Sequence, residues 1–423
     1  MSVNLQPDID MKHSVRNQYL ILSGLLFTFF FTWSSAFSLF SIWLNQYVGL
    51  KGAETGATFS AIAITALCAQ PLYGVIQDKL GLKKHLLWAI GILLLISGPF
   101  FICVYAPLLR TNMLAGAVVG GLYMGMTFFA GIGALESYTE RVSRISGFEF
   151  GKARMWGSLG WAGATFFAGM LFNINPNINF WMASASAALF LLLLWRLHEV
   201  KADAMGQLEY GKSSALTLHD TLSLLRLSRF WTLVVFVTGV SVYNVYDQQF
   251  PVYFSSLFAD PRHGNEMYGF LNSLQVFLEA GGMFLAPFLV NRIGAKKGLL
   301  LSGLIMAMRI FGSGLAQDAA TISLMKLLHA VELPILLIAM FKYIAANFDP
   351  RLSATLYLVG FQFVTQVCAS IFSPLAGISY DHIGFADTYM VMGAIVLGLT
   401  VISCFMLRVE PPTDDPSLQL TTK

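Results

Sequence analysis

Long apolar runs separated by short polar loops make up most of this chain. Several runs exceed the roughly 18 apolar residues that a helix needs to cross a bilayer core. No Asp, Glu, Lys or Arg falls between Arg16 and Lys51 or between Arg154 and Arg196, and only Arg110 interrupts the stretch from Lys84 to Glu136. This pattern predicts six spanning helices near 18–44, 57–78, 85–107, 113–138, 154–173 and 179–197. It predicts six more near 230–254, 267–290, 298–316, 321–346, 353–378 and 386–407. The expected fold class is an all-α membrane protein with twelve transmembrane helices in two six-helix halves. The expected divisions are a tail at 1–17, a bundle at 18–198, a polar linker at 199–229, a second bundle at 230–407 and a polar tail at 408–423.

Composition agrees with a membrane solvent. Of the 423 residues, 56% are hydrophobic and 12% charged, against about 25% charged in soluble globular chains. Lys and Arg are sorted between the loops. With a cytoplasmic N-terminus the inner loops hold Lys79, Lys83, Lys84, Arg141, Arg144, Lys152, Arg292, Lys296, Lys297, Lys342 and Arg351. The outer loops then hold only Lys51, Arg110 and Arg262. Positive charge gathers on the inner side of short loops, so both termini are expected in the cytoplasm, which an even number of spans permits. Cys68, Cys103, Cys368 and Cys404 lie far apart inside apolar runs, with no metal spacing and no disulfide framework.

An internal repeat supports two halves. GVIQDKLGLKK at 74–84 is echoed by PFLVNRIGAKK at 287–297, aligning Gly81 with Gly294 and Lys83–Lys84 with Lys296–Lys297. A weaker echo sets Phe148–Glu149 against Phe348–Asp349. Corresponding halves are the architecture of a rocking transporter. In the loop at 74–84, Gly74, Asp78, Lys79, Gly81, Lys83 and Lys84 read as a conformational latch: Gly81 permits a tight turn and Asp78 can accept hydrogen bonds at a helix end.

Ionisable residues set into the spans are the candidate chemistry. Lys326, His329 and Glu332 follow one another at steps of three in TISLMKLLHAVELPILLIAMFKY, and share one broad helical face. Each charge at a helix centre costs about 2.5–3.5 kcal/mol on insertion scales, so such groups face a protein interior or a wet cavity. Arg309 and Asp247 lie in other apolar runs and can partner them. Structural ion pairing accounts for one such pair; a His and a second carboxylate beside an Arg point to a proton path. Glu136 and Arg154 sit on consecutive spans, and Trp161 follows Arg154 by seven residues, two turns along the same face. A guanidinium fork beside an aromatic plane suits a pyranose, whose hydroxyls hydrogen-bond while its C–H face stacks. Glu279, with Asn272 two turns earlier, reads as lining a polar cavity.

QDKLGLKK (77–84), FEFGKARMWGSLGW (148–161), DQQF (247–250), NRIGAKK (291–297), MRIFGS (308–313), KLLHAVELP (326–334) and FDPRLSATLYLVGFQF (348–363) together resemble the oligosaccharide:proton symporters of the major facilitator superfamily. The resemblance runs almost end to end. It implies the major facilitator fold, with Glu136 and Arg154 as a sugar-binding pair, Trp161 as the stacking aromatic and His329 as a link between sugar and proton sites. Asn272 and Glu279, read from the sequence itself as lining a polar cavity, are expected as further substrate contacts. It implies Glu332 as the group that carries the proton, with Arg309, His329 and Tyr243 in the same coupling site. Asp247 and Lys326 match a structural charge pair. A second pair found in lactose-transporting members is absent, with Asn244 and Thr365 in its place, and their helix-8 carboxylate falls at Val276. YNVYDQQ and LNSLQVFLEA instead resemble sucrose-transporting members.

The implied function is proton-coupled import of a disaccharide, sucrose ahead of raffinose, melibiose or lactose, across a bacterial inner membrane. The expected partners are the sugar, the proton and the lipid bilayer, with no nucleic acid, no cofactor, no metal and a monomeric state. An antiporter exporting apolar compounds is the alternative from another class, and the pairing of Glu136 with Arg154 argues against it. An enzyme is disfavoured, because no metalloprotease helix, phosphate loop or nucleophile elbow occurs.

Overall fold

The computed structural model describes residues 6–197, 226–348 and 356–408. Most of the expected linker, the C-terminal tail from 409, and Asp349 lie outside the described residues. The described chain is almost wholly helical and contains no strand. In order it comprises α1 (Gln6–Phe37), α2 (Gly52–Leu80), α3 (His85–Thr111, bent by 47° near Ile96), α4 (Met113–Ser146), α5 (Phe150–Ile174) and α6 (Ile178–Arg196). There follow α7 (Ser228–Val240), α8 (Val242–Ser256), α9 (Pro261–Ile293), α10 (Ala295–Leu315), α11 (Ala319–Asn347) and α12 (Tyr357–Met406).

Among the described residues eight helices are long and apolar enough to cross a membrane, or nine with the bent α3. That is fewer than the twelve expected, and each difference has a local cause. The Gly, Ser and Trp residues of α5 dilute its hydropathy. The seventh expected span is broken at Ser241 into α7 and α8, of 13 and 15 residues. The eleventh and twelfth run together as α12 across Gly384, which leaves helical geometry at φ 85°. At the other end, α1 begins at Gln6, so the expected N-terminal tail is largely helical.

Two compact units emerge. The first comprises 1–215, 244–280 and 369–385, and the second 216–243, 281–368 and 386–423. In the first, α1 lies on α5 and α6. Ser186 donates to the Thr28 carbonyl at 3.0 Å, and α5 presents Gly160 to the α1 backbone. A Cβ at Gly160 would stand 2.3 Å from the Phe27 carbonyl oxygen, so only glycine fits that contact. The N-terminus of α2 is capped by Asp381, whose carboxylate accepts from the Gly52 and Ala53 amides at 2.9 and 2.8 Å. An anion there meets the positive end of the helix dipole.

In the second unit α10 packs on α11. Asp318 caps α11, accepting from the Thr321 amide at 2.8 Å and the Thr321 hydroxyl at 2.7 Å. Those bonds hold the exposed Asp318 carboxyl below the usual carboxylate range. At the far end Arg229 donates to the Asn347 carbonyl, satisfying a C-terminal acceptor. The sequence repeat is visible in the backbone. Gly81 and Gly294 both take positive φ, 59° and 86°, a conformation that other residues adopt only with strain.

Gly160→Val should cost about 1–3 kcal/mol by overpacking against the α1 backbone. Gly133→Ala, where a Cβ meets nothing within 4 Å, should leave stability unchanged or raise it slightly. Thermal unfolding of the two purified variants in detergent reads the difference. Equal midpoints would show that α1 and α5 separate at no cost.

Candidate functional site

In the first unit the predicted carboxylate and guanidinium meet. Arg154 Nε donates to Glu136 Oε1 at 2.5 Å, from α5 to α4, and each side chain is about a third exposed (33% and 32%). The guanidinium also lies over the Phe30 ring of α1, 4.2 Å from its centroid. Gly157 makes room for this: a Cβ there would press within 2.6 Å of the Phe30 ring. A π-helical stretch, Gly125–Ala130, precedes the turn of α4 that carries Glu136.

Trp161 lies along the same strip. Its ring meets Trp33 edge to face at 5.5 Å and 79°, and Trp33 in turn lies 5.9 Å from Phe30. The Ser34 hydroxyl donates to the Trp161 carbonyl at 2.9 Å and fixes the register of α1 on α5. Arg154, Phe30, Trp33 and Trp161 thus form one continuous run of cation and aromatic rings. Phe30 and Trp33 went unrecognised in the sequence, although their spacing of three on one helical face was there to be read.

Asn272 is buried and donates its amide to the Thr165 hydroxyl at 3.1 Å, bracing α9 against α5. Beside it, the side-chain oxygen of Gln275 is buried with no hydrogen-bond partner among the described residues. Glu279 is half-buried, one turn further along α9. Asp247 is half-buried on α8.

In the second unit two predicted residues converge on one oxygen of a third. Arg309 Nη2 stands 2.8 Å from Glu332 Oε1, with both side chains wholly buried. His329 Nδ1 lies 3.0 Å from the same atom. Glu332 Oε2 is buried without a hydrogen-bond partner among the described residues. The Tyr243 ring is 5.5 Å from the His329 ring, and Lys326 is buried one turn before it on α11. The helix is irregular here. It turns at Leu328, with Val331 and Glu332 amides both directed to the Leu328 carbonyl at 3.0 Å. Pro334 has no N–H to offer the Ala330 carbonyl, and Gly282 of α9 approaches that carbonyl so closely that a Cβ would lie at 2.4 Å. Where lactose-transporting members are expected to carry a charge, Thr365 accepts a neutral hydrogen bond from Ser241 at 3.3 Å.

The residues expected to form a latch lie at and just beyond the end of α2. Asp78 pairs with Arg141 of α4, and Arg141 also donates to the Gln77 carbonyl at 3.3 Å. Gln77 closes the turn on the Gly81 carbonyl at 2.9 Å. Lys84 reaches the carbonyl of Leu197, which caps the C-terminus of α6, at 2.7 Å, where a cation meets the negative end of the helix dipole. Lys79 and Lys83 are exposed, and a Cβ at Gly74 would meet nothing, so packing places no demand on that glycine here.

The chain is 46% identical over 404 residues to a raffinose permease of Escherichia coli, covering 95% of both chains. It is 46% identical over 399 residues to a melibiose permease of Enterobacter cloacae, covering 93% of this chain and 94% of that one. A sucrose permease of Escherichia coli matches at 41% over 396 residues, covering 92% and 93%. Among solved structures, the nucleoside transporter NupG superposes with a TM-score of 0.77 at 15% identity, over 92% of this chain and 100% of that one, a likeness of fold. The family model described as LacY proton/sugar symporter matches residues 11–415. By that match, and by identities of 41–46% to these permeases over most of its length, the chain belongs to the LacY proton/sugar symporter family.

Proposed function

We propose that this symporter imports a disaccharide, sucrose in the first place, by alternating access across a bacterial inner membrane, with twelve spans and both termini in the cytoplasm. The observation that carries the coupling half is the single Glu332 oxygen shared by Arg309 and His329. A carboxylate wholly buried in a membrane helix persists only with a partner. Glu332 carries the proton, Arg309 offsets its charge when the proton leaves, and His329, close to Tyr243, passes the state of the sugar site to it. The bare Oε2 is where a proton binds without displacing either partner. Glu136 and Arg154 bind sugar hydroxyls, Trp161 stacks on a ring face, and Asn272 and Glu279 complete the substrate contacts. Asp247 and Lys326 are the charge pair that the family resemblance implies. The loop from Gly74 to Lys84 acts as a latch.

The choice of sucrose rests on YNVYDQQ at 243–249 and LNSLQVFLEA at 271–280. A second reading has its own support: identity is higher to the raffinose and melibiose permeases than to the sucrose permease. Melibiose and sucrose are the two overlapping halves of raffinose, so one site could accept all three. Uptake of labelled sucrose, raffinose, melibiose and lactose into vesicles with an imposed proton gradient decides the order. Sucrose should be taken up best and should acidify the lumen. No gradient-dependent uptake of any of the four would end this reading.

Arg154→Ala removes a charge-assisted hydrogen bond worth about 1.5–3 kcal/mol, so sugar affinity should fall roughly ten- to a hundredfold. Arg154→Lys should fare little better, because a point charge cannot reproduce the guanidinium fork. Equilibrium binding in detergent reads both variants, and near-normal affinity in either would reduce the pair to a structural role.

Glu332→Gln fixes the residue in a neutral, protonated-like state. It should bind sugar and exchange it across the membrane, yet fail to accumulate sugar against a gradient, because the empty carrier has no proton to lose. Proton-driven accumulation by this variant would transfer the coupling role to another carboxylate, with Glu279 the next to test.

A further inference from the structure

We propose that Gln275 is a specificity-determining residue of the sugar site, whose side-chain oxygen accepts a hydrogen bond from one hydroxyl of the seated sugar. The inference deepens the reading of Glu136, Arg154 and Trp161 as that site and rests on it. Its starting point is an unsatisfied acceptor. Gln275 is 4% exposed, and no described residue donates a hydrogen bond to its buried Oε1. Buried polar atoms are nearly always paired, and an acceptor buried without a donor destabilises the fold that contains it. Such an atom is useful where a ligand brings the donor.

Its place on α9 gives both side and depth. Leu274, Phe277 and Leu278 are the exposed apolar residues of this stretch and mark its lipid side. At 100° per residue, Asn272, Gln275 and Glu279 fall on the other side, toward the protein. Depth follows from how α9 runs along α5. A Cβ at Gly169 would meet the Asn265 carbonyl oxygen at 2.3 Å, and one at Gly269 the Thr165 carbonyl oxygen at 2.8 Å. One turn on, Asn272 bonds Thr165, and Ser273 donates to the Ala162 carbonyl at 2.9 Å. Each advance along α9 is a retreat along α5, so the two helices are antiparallel. The next turn of α9 brings Gln275 to the level of Trp161, all within the first unit. Val276 offers no polar group there. An amide both accepts and donates, whereas Glu136 and Glu279 as carboxylates only accept. Gln275 thus suits a sugar hydroxyl with a second oxygen beside it. A sugar with a hydrogen in place of that hydroxyl leaves the amide oxygen unpaired and gains nothing from it.

Gln275→Met keeps nearly the same shape and removes the acceptor. Two measurements on the purified full-length protein in detergent test the proposal. One is equilibrium binding of the best-bound of sucrose, melibiose and raffinose together with its monodeoxy analogues. The other is thermal unfolding of the sugar-free protein. Affinity for the parent sugar should fall about tenfold in the variant. The sugar-free unfolding midpoint should stay level or rise, because an unsatisfied polar atom has been removed. In the wild type one deoxy analogue should bind about tenfold more weakly than its parent, and in the variant those two should bind alike. Gln275→Leu serves if the methionine variant cannot be purified, with the same expected results. Unchanged affinity for the parent sugar, an equal loss for every analogue, or a lower sugar-free midpoint in both variants would overturn the proposal and leave Gln275 a packing residue. A wild-type protein that binds none of the sugars would instead overturn the reading of the site on which the proposal rests.

Discussion

A guanidinium and a carboxylate without solvent exposure stand 2.8 Å apart in the second unit, and the helices around them are shaped by that constraint. Desolvating each ion costs several kcal/mol, and breaking such a pair by removing one member costs about 3–5 kcal/mol, because the other is left stranded. Neither charge can leave alone. Whatever changes the protonation of Glu332 therefore changes the standing of Arg309, and through the shared oxygen also that of His329. A proton-driven carrier requires that kind of linkage, in which one small particle alters the interactions of several large side chains.

The first unit applies the opposite rule. Arg154 and Glu136 are each about a third exposed, so their mutual attraction is screened and adds little to stability. Both side chains keep part of their surface open to solvent. A binding site needs groups that can exchange one partner for another at small cost, whereas a coupling site needs groups that cannot. The difference in burial between the two pairs is the one that the proposed roles of sugar binding and proton coupling would need.

Much of this was legible because charge is rare in the chain. Against apolar runs, Glu136, Arg154, Arg309, His329 and Glu332 stand out, and the structure unites them as 136 with 154 and as 309 with 329 and 332. The repeat was legible for a similar reason, since Gly81 and Gly294 are bound to their positions by backbone conformation. Phe30 and Trp33 were hidden by abundance: with 35 Phe and 8 Trp, no single ring is conspicuous. Asn272 was recognised as polar, but its bond to Thr165 depends on how α9 meets α5, which periodicity does not specify. Span boundaries failed where helices break at one residue, as at Ser241, or continue through a kink, as at Gly384.

Two irregularities of the helices lie just before intramembrane carboxylates. A membrane helix has no water to satisfy a broken backbone bond, so each departure from α geometry must be met within the protein. A π-helical stretch precedes Glu136 at Gly125–Ala130, and the turn at Leu328 immediately precedes His329 and Glu332. A π insertion adds one residue while keeping the backbone bonded, and one residue turns the following helix by about 100°. That rotation is the difference between a carboxylate directed at lipid and one directed at the protein interior. At α11 Pro334 has no N–H for the Ala330 carbonyl, and Gly282 packs so close to that carbonyl that a Cβ would lie 2.4 Å from its oxygen. Irregular backbone is thus one way to place a charge and not a requirement: Arg154 and the wholly buried Arg309 stand in regular α-helix, whereas at α11 the close contact admits only glycine at 282.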